Sequence, residues 1–217
     1  MTRKLAFVLM FSSVILTGCQ VWPQKAKWQS LFDGETLNGW RASENKDTFS
    51  VKDRMIVVDG PRSHLFYVGP VNGANFKDFE FKADVMTKPI SNSGIYFHTE
   101  YQPSGWPAKG FECQVNTTHS DRKKTGGLYA VQDVIDDAPS VDNQWFQYYI
   151  KVEGKHVIIK IDGETTVDWT QPEDYTPPRD MPGRVIGEGT IALQGHDAKS
   201  VVYYKNIMVR VPPAPID

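Results

Sequence analysis

The chain has 217 residues, of which 40% are hydrophobic and 23% are charged, and its net charge is -2. These values are typical of one large globular domain. The sequence contains no long basic run, so it lacks the electrostatic pattern of a nucleic-acid-binding protein. Aromatic residues make up 12% of the chain. That fraction suits a β-rich core, and it also suits carbohydrate binding, in which sugars pack on flat aromatic faces.

The N-terminus has the pattern of a secretory leader. Two basic residues precede an apolar stretch at 5–16, which is too short to cross a bilayer as a stable helix. The following Thr17-Gly18-Cys19 resembles the end of a bacterial lipoprotein signal, where the peptide is cut before an acylated cysteine. We expect a signal peptide at 1–18 and a lipidated tether at 19–27; an ordinary cleaved secretory peptide is the alternative.

If the chain is a lipoprotein, we can predict where in the cell it is anchored and whether its second cysteine has a partner. Gln20 is not the Asp associated with retention in the inner membrane, so we expect an outer-membrane anchor that faces the periplasm, with the lipid on Cys19 as the membrane contact. Cys113 is then left without a partner, because the chain has two cysteines. It lies in an apolar row, so we expect a buried thiol rather than a nucleophile.

Between residues 28 and 211 the chain reads as a succession of short strands separated by Gly- and Pro-rich turns. No internal repeat interrupts it, and residues 212–217 form a Pro-rich tail. This pattern predicts an all-β fold, an antiparallel β-sandwich or jelly roll. Asp162-Gly163 is a strong hairpin signal. Short helices are possible in the loops at 133–141 and 171–180. Strands are predicted at 55–59, 64–68, 79–86, 94–98, 111–116, 145–152, 157–161, 165–169, 190–193 and 201–211.

The most informative stretch is Phe111-Glu112-Cys113-Gln114-Val115-Asn116, which alternates strictly. Successive side chains of a strand point to opposite faces. Phe111, Cys113 and Val115 therefore share an apolar face, and the three polar residues share the other. A plain solvated face usually carries Lys, Thr and Glu. A row of one acid and two amides favours a surface that recognises a polar ligand.

The same alternation in the other strands predicts which side chains join this row. Where the apolar residues point inward, the polar and aromatic residues between them point outward. Asn92 precedes one of these strands and either presents its amide to the cleft or only makes a turn. Trp106 lies in a loop and either stacks on a ligand or covers the core edge. The predicted outward cluster is Tyr96, His98, Glu112, Gln114, Asn116, Tyr129, Gln194 and His196.

Several segments resemble the 3-keto-disaccharide hydrolase domain family, long catalogued as a domain of unknown function. The resemblance runs from about Trp28 to Val211 and implies a concanavalin A-like jelly roll. In this chain Asn116 replaces an acid that the family often has after the Glu-x-Gln pair. Gln194-Gly195-His196-Asp197 likewise replaces Gln-Asp-His-Gly, and both departures bear on substrate choice and activity. The matching stretches are 31–40, 91–97, 110–115, 125–129, Gly163, 191–196 and 205–207.

The resemblance implies cleavage of glycosides whose sugar has been oxidised to a ketone at carbon 3. Elimination across C1 and C2 needs a base, a stabiliser of the enolate oxygen and an acid for the leaving group. Glu112 or His98 is the expected base, and His196 the expected acid because imidazole titrates near neutral pH. The other cluster members, together with Asn92 and Trp106, would bind the sugar. A sugar 3-dehydrogenase is a possible functional partner.

Two alternatives stay open, and one of them is a structural lipoprotein of the cell envelope whose family fold carries no activity. A non-catalytic carbohydrate-binding lipoprotein would use the same amide-rich face without chemistry. Ordinary retaining hydrolysis is not expected, because it requires two carboxyl groups about 5–5.5 Å apart and Gln114 occupies the position of the second. No cofactor is expected: the sequence has no His-x-His or paired-Cys metal motif. Asp133, Asp136 and Asp137 could bind Ca²⁺ through their oxygens, but we favour a solvated acidic loop.

Overall fold

The computed structural model describes residues 26–212. The expected signal peptide at 1–18, the lipidation site Cys19 and the tether up to residue 25 lie outside the described residues, as does the tail beyond Pro212. Within the described residues, no helix is long and apolar enough to cross a bilayer.

The described part of the chain is built from short strands and two 3-10 turns, at Lys46–Thr48 and Val71–Ala74. The strands in chain order are β1 (Gln29–Ser30), β2 (Trp40–Ala42), β3 (Phe49–Lys52), β4 (Met55–Asp59), β5 (Ser63–Tyr67), β6 (Phe79–Thr87), β7 (Asn92–Thr99), β8 (Phe111–Asn116), β9 (Lys123–Leu128), β10 (Gln132–Ile135), β11 (Phe146–Glu153), β12 (His156–Ile161), β13 (Glu164–Thr170), β14 (Thr190–Gly195) and β15 (Val201–Arg210).

These strands follow from alternation and turn chemistry in the sequence. Along β6 the buried and partly exposed side chains alternate over all nine residues, so one face packs inward and the other meets solvent. The hairpin between β12 and β13 turns at Asp162 and Gly163, which have φ angles of 48° and 88°. Gly and Asp tolerate this left-handed backbone, so the hairpin prediction is confirmed.

The strands form two antiparallel sheets that pack face to face. One sheet has the order β13-β12-β11-β6-β15-β4-β3, with β1 added at β15. The other has the order β10-β9-β8-β7-β14-β5-β2. The predicted all-β jelly-roll sandwich is confirmed. The order matters for function because β8, β7 and β14, which are far apart in sequence, lie side by side.

The core lies between the two sheets and is rich in aromatic residues. Phe81, Tyr148 and Tyr204 from the first sheet, and Phe97 and Phe111 from the second, are fully buried. Burying one such side chain stabilises the fold by about 1.5–3 kcal/mol. No disulfide is needed at this domain size. The outer face of the second sheet is left to bear polar groups.

The structure corrects the sequence prediction in the loops. Neither 133–141 nor 171–180 contains a helix; residues 132–135 instead form β10 beside β9. The predicted strands at 55–59 and 111–116 match at both ends, and the others differ by one or two residues, as at β5, which spans Ser63–Tyr67. Strands β1, β2, β3 and β9 were not predicted.

Candidate active site

A pocket of about 580 Å³ opens on the outer face of the second sheet. Strands β7, β8 and β14 form its floor. Loops containing residues 106–110 and 180–184 form its walls. The two loops are joined by a bridge between Lys109 and Gly183. A side chain at Gly183 would collide with the Ala108 carbonyl oxygen, so only glycine permits this approach.

Glu112 on β8 has the densest polar contacts in the pocket. Its Oε1 accepts a hydrogen bond from Gln194 Nε2 at 2.8 Å. Its Oε2 accepts from the Tyr96 hydroxyl at 2.9 Å and from Arg184 Nη2 at 3.3 Å. Tyr96 lies opposite Glu112 across the β7–β8 pair. All three partners are hydrogen-bond donors, and Glu112 accepts from each of them. A carboxylate can accept about four hydrogen bonds, so one acceptor position of Glu112 stays free.

Tyr96 is a hydrogen-bond donor and not an ionised group. Burial raises the pKa of Tyr96 well above its usual value, and the neighbouring Glu112 charge raises it further. The protonated hydroxyl therefore donates to Glu112, and it also accepts a bond from Gln194 Nε2 at 3.2 Å. The three side chains form one fixed network at the base of the pocket.

Two buried glutamines extend this network. Gln114 Nε2 donates to Asn92 Oδ1 at 2.9 Å, while Gln194 Nε2 donates to Glu112. Because a carboxylate cannot donate, the Gln194 amide can only be oriented with its nitrogen toward Glu112. Within residues 26–212, the Oε1 atoms of Gln114 and Gln194 have no hydrogen-bond partner, although both are buried.

His196 follows β14 and lines the opposite part of the pocket. Its Nδ1 lies 2.8 Å from Asp197 Oδ2. Burial alone would raise the pKa of Asp197, but hydrogen bonds from His196, Lys199 and Ser200 outweigh burial and lower it. The carboxylate therefore holds a proton on His196 Nδ1 and leaves Nε2 for other partners.

Trp106 covers this end of the pocket. Its ring lies 5.3 Å from the His196 ring and 5.6 Å from the ring of His64, measured between centroids. The loop is held by Glu44, whose carboxylate accepts from the Gly105 backbone N–H at 2.9 Å. Trp106 is 45% exposed. It therefore covers the buried His64 ring and also offers an open aromatic surface.

His119 lies beside His196, with ring centroids 5.6 Å apart. Burial lowers the pKa of His119, and the charge of His196 lowers it further. One ring nitrogen of each histidine and an Asp197 oxygen lie within 4.8 Å of one another, as metal ligands could. However, His119 Nδ1 already accepts the Asp121 backbone N–H at 3.1 Å. His119, His196 and Asp197 therefore look more like a hydrogen-bonded edge of the pocket than a preformed cation site.

The acidic loop does not form the cation site considered from the sequence. Asp133 pairs with Lys123 at 3.3 Å and accepts the Ala130 backbone N–H. Asp136 pairs with Arg122 at 2.7 Å. Neither joins Asp137 in a set of converging ligand atoms among the described residues.

His98 does not face the pocket, which corrects the sequence prediction. Its φ of 53° breaks the alternation at the end of β7. Its ring packs on Phe79 and Phe97, and its Nε2 bonds the Lys77 carbonyl oxygen at 2.9 Å. Burial lowers the pKa of His98. His98 is therefore a neutral core residue, and Glu112 remains the candidate base.

Asn116 also departs from the prediction that it binds ligand. It lies on the expected face, but its Nδ2 donates to the carbonyl oxygens of Asp121 and Lys123 at 3.0 and 2.7 Å. Its Oδ1 accepts the His119 backbone N–H at 2.9 Å. These bonds use both amide donors and the oxygen. Asn116 therefore holds the loop after β8 and does not line the pocket.

The remaining predicted site residues do converge. The pocket is lined by Asn92, Tyr96, Trp106, Glu112, Gln114, Tyr129, Gln194 and His196. Sequence reasoning missed Arg184, whose side chain is only 8% exposed and whose Cζ lies 5.2 Å from the Tyr129 ring centroid. Arg184 lies in a loop without alternation. The neighbouring Gly183 was the one sequence feature that could have pointed to this loop, because a glycine can mark a place where two backbone segments come close together.

Comparison with known proteins agrees with this architecture. The family model of the 3-keto-alpha-glucoside-1,2-lyase-like domain matches residues 27–210. Two Parabacteroides distasonis proteins, named as candidate glycosyl hydrolases, share the fold. They are 22% and 21% identical, with TM-scores of 0.72 and 0.68. The alignments cover 85% of this chain in both cases, and 93% and 99% of the respective relatives.

A carbohydrate-binding module of family 66 from Bacillus subtilis is also similar in fold. It is 15% identical with a TM-score of 0.55, and the alignment covers 79% of this chain and 95% of the module. No curated protein matches the chain in sequence.

Proposed function

The chain belongs to the 3-keto-alpha-glucoside-1,2-lyase-like domain family, and we propose that it cleaves glycosides whose sugar carries a ketone at C3. The observation that carries the proposal is Glu112, a carboxylate held at the base of a pocket by Tyr96, Gln194 and Arg184. A fixed carboxylate of this kind suits removal of a carbon-bound proton next to a carbonyl group.

The proposed reaction begins with elimination. The ketone at C3 acidifies the proton on C2, and the Glu112 carboxylate takes that proton. The C–H electron pair forms a C2=C3 double bond and leaves negative charge on O3. When the C3 carbonyl re-forms, a C1=C2 double bond is made, the C1–O bond breaks, and the leaving oxygen takes a proton from His196.

Hydration completes the proposed reaction. Water adds its hydroxyl group to C1 and a proton returns to C2, so the sum is hydrolysis of the glycosidic bond. Glu112 gives back the proton that it removed, and the proton from water restores His196. Because both groups end as they began, no cofactor is consumed.

His196 suits the acid role because of its contacts. Asp197 holds the proton on Nδ1, so in the protonated imidazole Nε2 is the nitrogen that donates to the leaving oxygen. Trp106 lies against His196 and offers an aromatic surface to the sugar or its leaving group. The amides of Asn92, Gln114 and Gln194 would hydrogen-bond the sugar hydroxyls.

The test compares two substrates. The protein is incubated with p-nitrophenyl 3-keto-glucoside and with p-nitrophenyl glucoside, and release of p-nitrophenol is followed. We expect release from the keto sugar, and a loss of turnover of about 10²–10⁴-fold in Glu112→Gln. Glu164→Gln is the matched control, since Glu164 is exposed on β13. Unchanged turnover in Glu112→Gln would contradict the assignment of the base.

A non-catalytic carbohydrate-binding protein is the second candidate. The similarity in fold to a carbohydrate-binding module favours it, because the same sandwich there belongs to a protein named for binding alone. The substrate comparison separates the two candidates. Saturable binding of the keto sugar without release of p-nitrophenol would favour binding without catalysis.

We propose further that the enzyme acts at the cell envelope. The Thr17-Gly18-Cys19 pattern supports a lipid anchor on Cys19, placed at the outer membrane and facing the periplasm. The substrate would come from an enzyme class that oxidises C3 of a sugar, a sugar 3-dehydrogenase. Cys19→Ser should move the protein from the membrane fraction to the soluble fraction of a bacterial lysate; a protein that stays with the membrane would contradict the lipid anchor.

A further inference from the structure

Three residues that line the pocket each carry a buried polar atom that has no hydrogen-bond partner within residues 26–212. The atoms are Arg184 Nη1, Gln114 Oε1 and Gln194 Oε1. Leaving such an atom buried and unpaired costs about 1–3 kcal/mol. The other buried side-chain atoms without a partner belong to His64, Thr99 and Tyr175, and none of these residues lines the pocket. The concentration of unpaired atoms in one pocket indicates a ligand that would pair with them.

The three atoms define the chemistry of that ligand. A guanidinium nitrogen can only donate a hydrogen bond, and an amide oxygen can only accept one. The ligand must therefore present an acceptor to Arg184 and donors to the two glutamines. A sugar that carries both a carbonyl oxygen and free hydroxyl groups meets this requirement.

Arg184 and Glu112 lie close enough together to contact groups on two neighbouring carbon atoms of one sugar. Arg184 Nη2 lies 3.3 Å from Glu112 Oε2, and Nη1 belongs to the same rigid, planar group. In the proposed substrate the carbonyl oxygen is on C3 and the acidic proton is on the adjacent C2. The carboxylate and the unpaired guanidinium nitrogen can therefore contact the two groups at the same time.

We infer that Arg184 is the residue that recognises the ketone: its Nη1 donates to O3, while Gln114 and Gln194 accept hydrogen bonds from sugar hydroxyls. This inference rests on the proposed function and assigns the enolate stabiliser for it. As the C2 proton moves to Glu112, the negative charge moves from the carboxylate to O3. Both positions adjoin the same guanidinium, so Arg184 keeps a negative neighbour throughout and need not move.

Arg184 is fixed in place before any ligand arrives. Its Nε lies 2.8 Å from Met181 Sδ, and its backbone N–H donates to the Met181 carbonyl oxygen at 3.1 Å. The Gly110 backbone N–H donates to the carbonyl oxygen of Gly183 at 3.0 Å and ties this loop to the start of β8. A donor that is held in advance stabilises developing charge without reorganisation.

The kinetic test uses Arg184→Met and Arg184→Lys, with Arg122→Met as the matched control on an exposed arginine. On p-nitrophenyl 3-keto-glucoside, Arg184→Met should lower kcat by about 10²–10³-fold, the usual effect of removing one such donor. Arg184→Lys should recover part of this loss because it keeps the charge. If kcat of Arg184→Met stays within about twofold of wild type while Glu112→Gln is inactive, the inference fails and the proposed function stands.

A binding test covers the case in which Arg184→Met unfolds because Glu112 is left as an unpaired buried charge. Glu112→Gln and the double variant Glu112→Gln/Arg184→Met both avoid that charge. By calorimetry, Glu112→Gln should bind the 3-keto-glucoside more tightly than the glucoside, and the double variant should lose this preference. A retained preference would overturn the inference. This measurement decides whether Arg184 recognises the ketone even if the wild type cleaves neither sugar, a result that would refute the proposed function.

Discussion

Gly94 on β7 leaves the space that the Glu112 side chain occupies. A Cβ atom at position 94 would lie 2.7 Å from Glu112 Oε1 and 2.9 Å from Glu112 Cγ. Gly94 stands between Asn92 and Tyr96 on the outer face of the sheet, opposite Gln114. The missing side chain lets the carboxylate lie flat across β7 and reach Tyr96 and Gln194.

Replacement of this glycine should displace the candidate base without unfolding the sheet. In Gly94→Ala the new methyl group would push the carboxylate away, and a shift of about 1 Å can cost about 10²-fold in rate. We expect kcat on the 3-keto-glucoside to fall about 10–100-fold. Gly187→Ala is the matched control, because a Cβ atom at position 187 would have no atom within 4 Å beyond its chain neighbours. Normal turnover in Gly94→Ala would show that the position of Glu112 is unimportant.

His64 should make the stability of the fold depend on pH. It is fully buried between Tyr96, Phe66 and Trp106, and burial lowers the pKa of His64 from 6.5 to about 3. Below pH 6.5 His64 binds a proton in the unfolded chain but not in the folded chain, so the free energy of unfolding falls as pH falls. At about 1.4 kcal/mol per pH unit, this one group costs about 2 kcal/mol at pH 5.

His64→Phe removes that titration and keeps an aromatic ring in the same place. Urea unfolding of wild type and variant at pH 7 and pH 5 should show a pH-dependent loss that is about 2 kcal/mol smaller in the variant. At pH 7 the variant should be at least as stable, because the unpaired ring nitrogens are gone. His156→Gln, at a partly exposed position where the ring pairs with Asp168, is the control for loss of a histidine. Equal pH dependence in wild type and His64→Phe would mean that His64 is protonated normally in the folded protein.

Asn116 should be a structural residue and not a ligand. Asn116→Asp replaces two donors with acceptors that face the carbonyl oxygens of Asp121 and Lys123. We expect a loss of about 2–4 kcal/mol in the free energy of unfolding, measured in urea. Asn143→Asp is the control, since the Asn143 amide oxygen accepts from Lys88 at an exposed site and a carboxylate can do the same. An Asn116→Asp protein of full stability that no longer binds sugar would instead place Asn116 in the binding site.

Cys113 should be unreactive until the sandwich opens. It is fully buried, and burial raises the pKa of its thiol well above the usual value. In a Cys19→Ser variant, Cys113 is the one thiol left. Iodoacetamide should label it more than about 10³-fold faster in urea than in buffer, since access requires opening of a core stabilised by several kcal/mol. Rapid labelling in buffer would show that the strand face is open to solvent.

Local geometry made much of the site predictable from the sequence. In a strand, neighbouring side chains must point to opposite faces, so the alternation around Glu112 and Gln114 was enough to place both on the outer face. The same rule failed at His98, where a positive φ turned the ring inward. For Asn116 the rule gave the correct face of the strand. It could not predict that the Asn116 side chain hydrogen-bonds the loop after β8, because alternation describes neighbouring residues of one strand only.

The amino-acid sequence alone was enough to predict the class of fold, the faces of most strands and the chemical character of one polar row, because each depends on residues close together along the chain. The folded structure was needed to show that β8, β7 and β14 are neighbours and that Arg184 reaches Glu112 from a loop 72 residues away. Strand order and loop path depend on contacts between distant segments, whose free energies cannot be read from any single stretch of sequence.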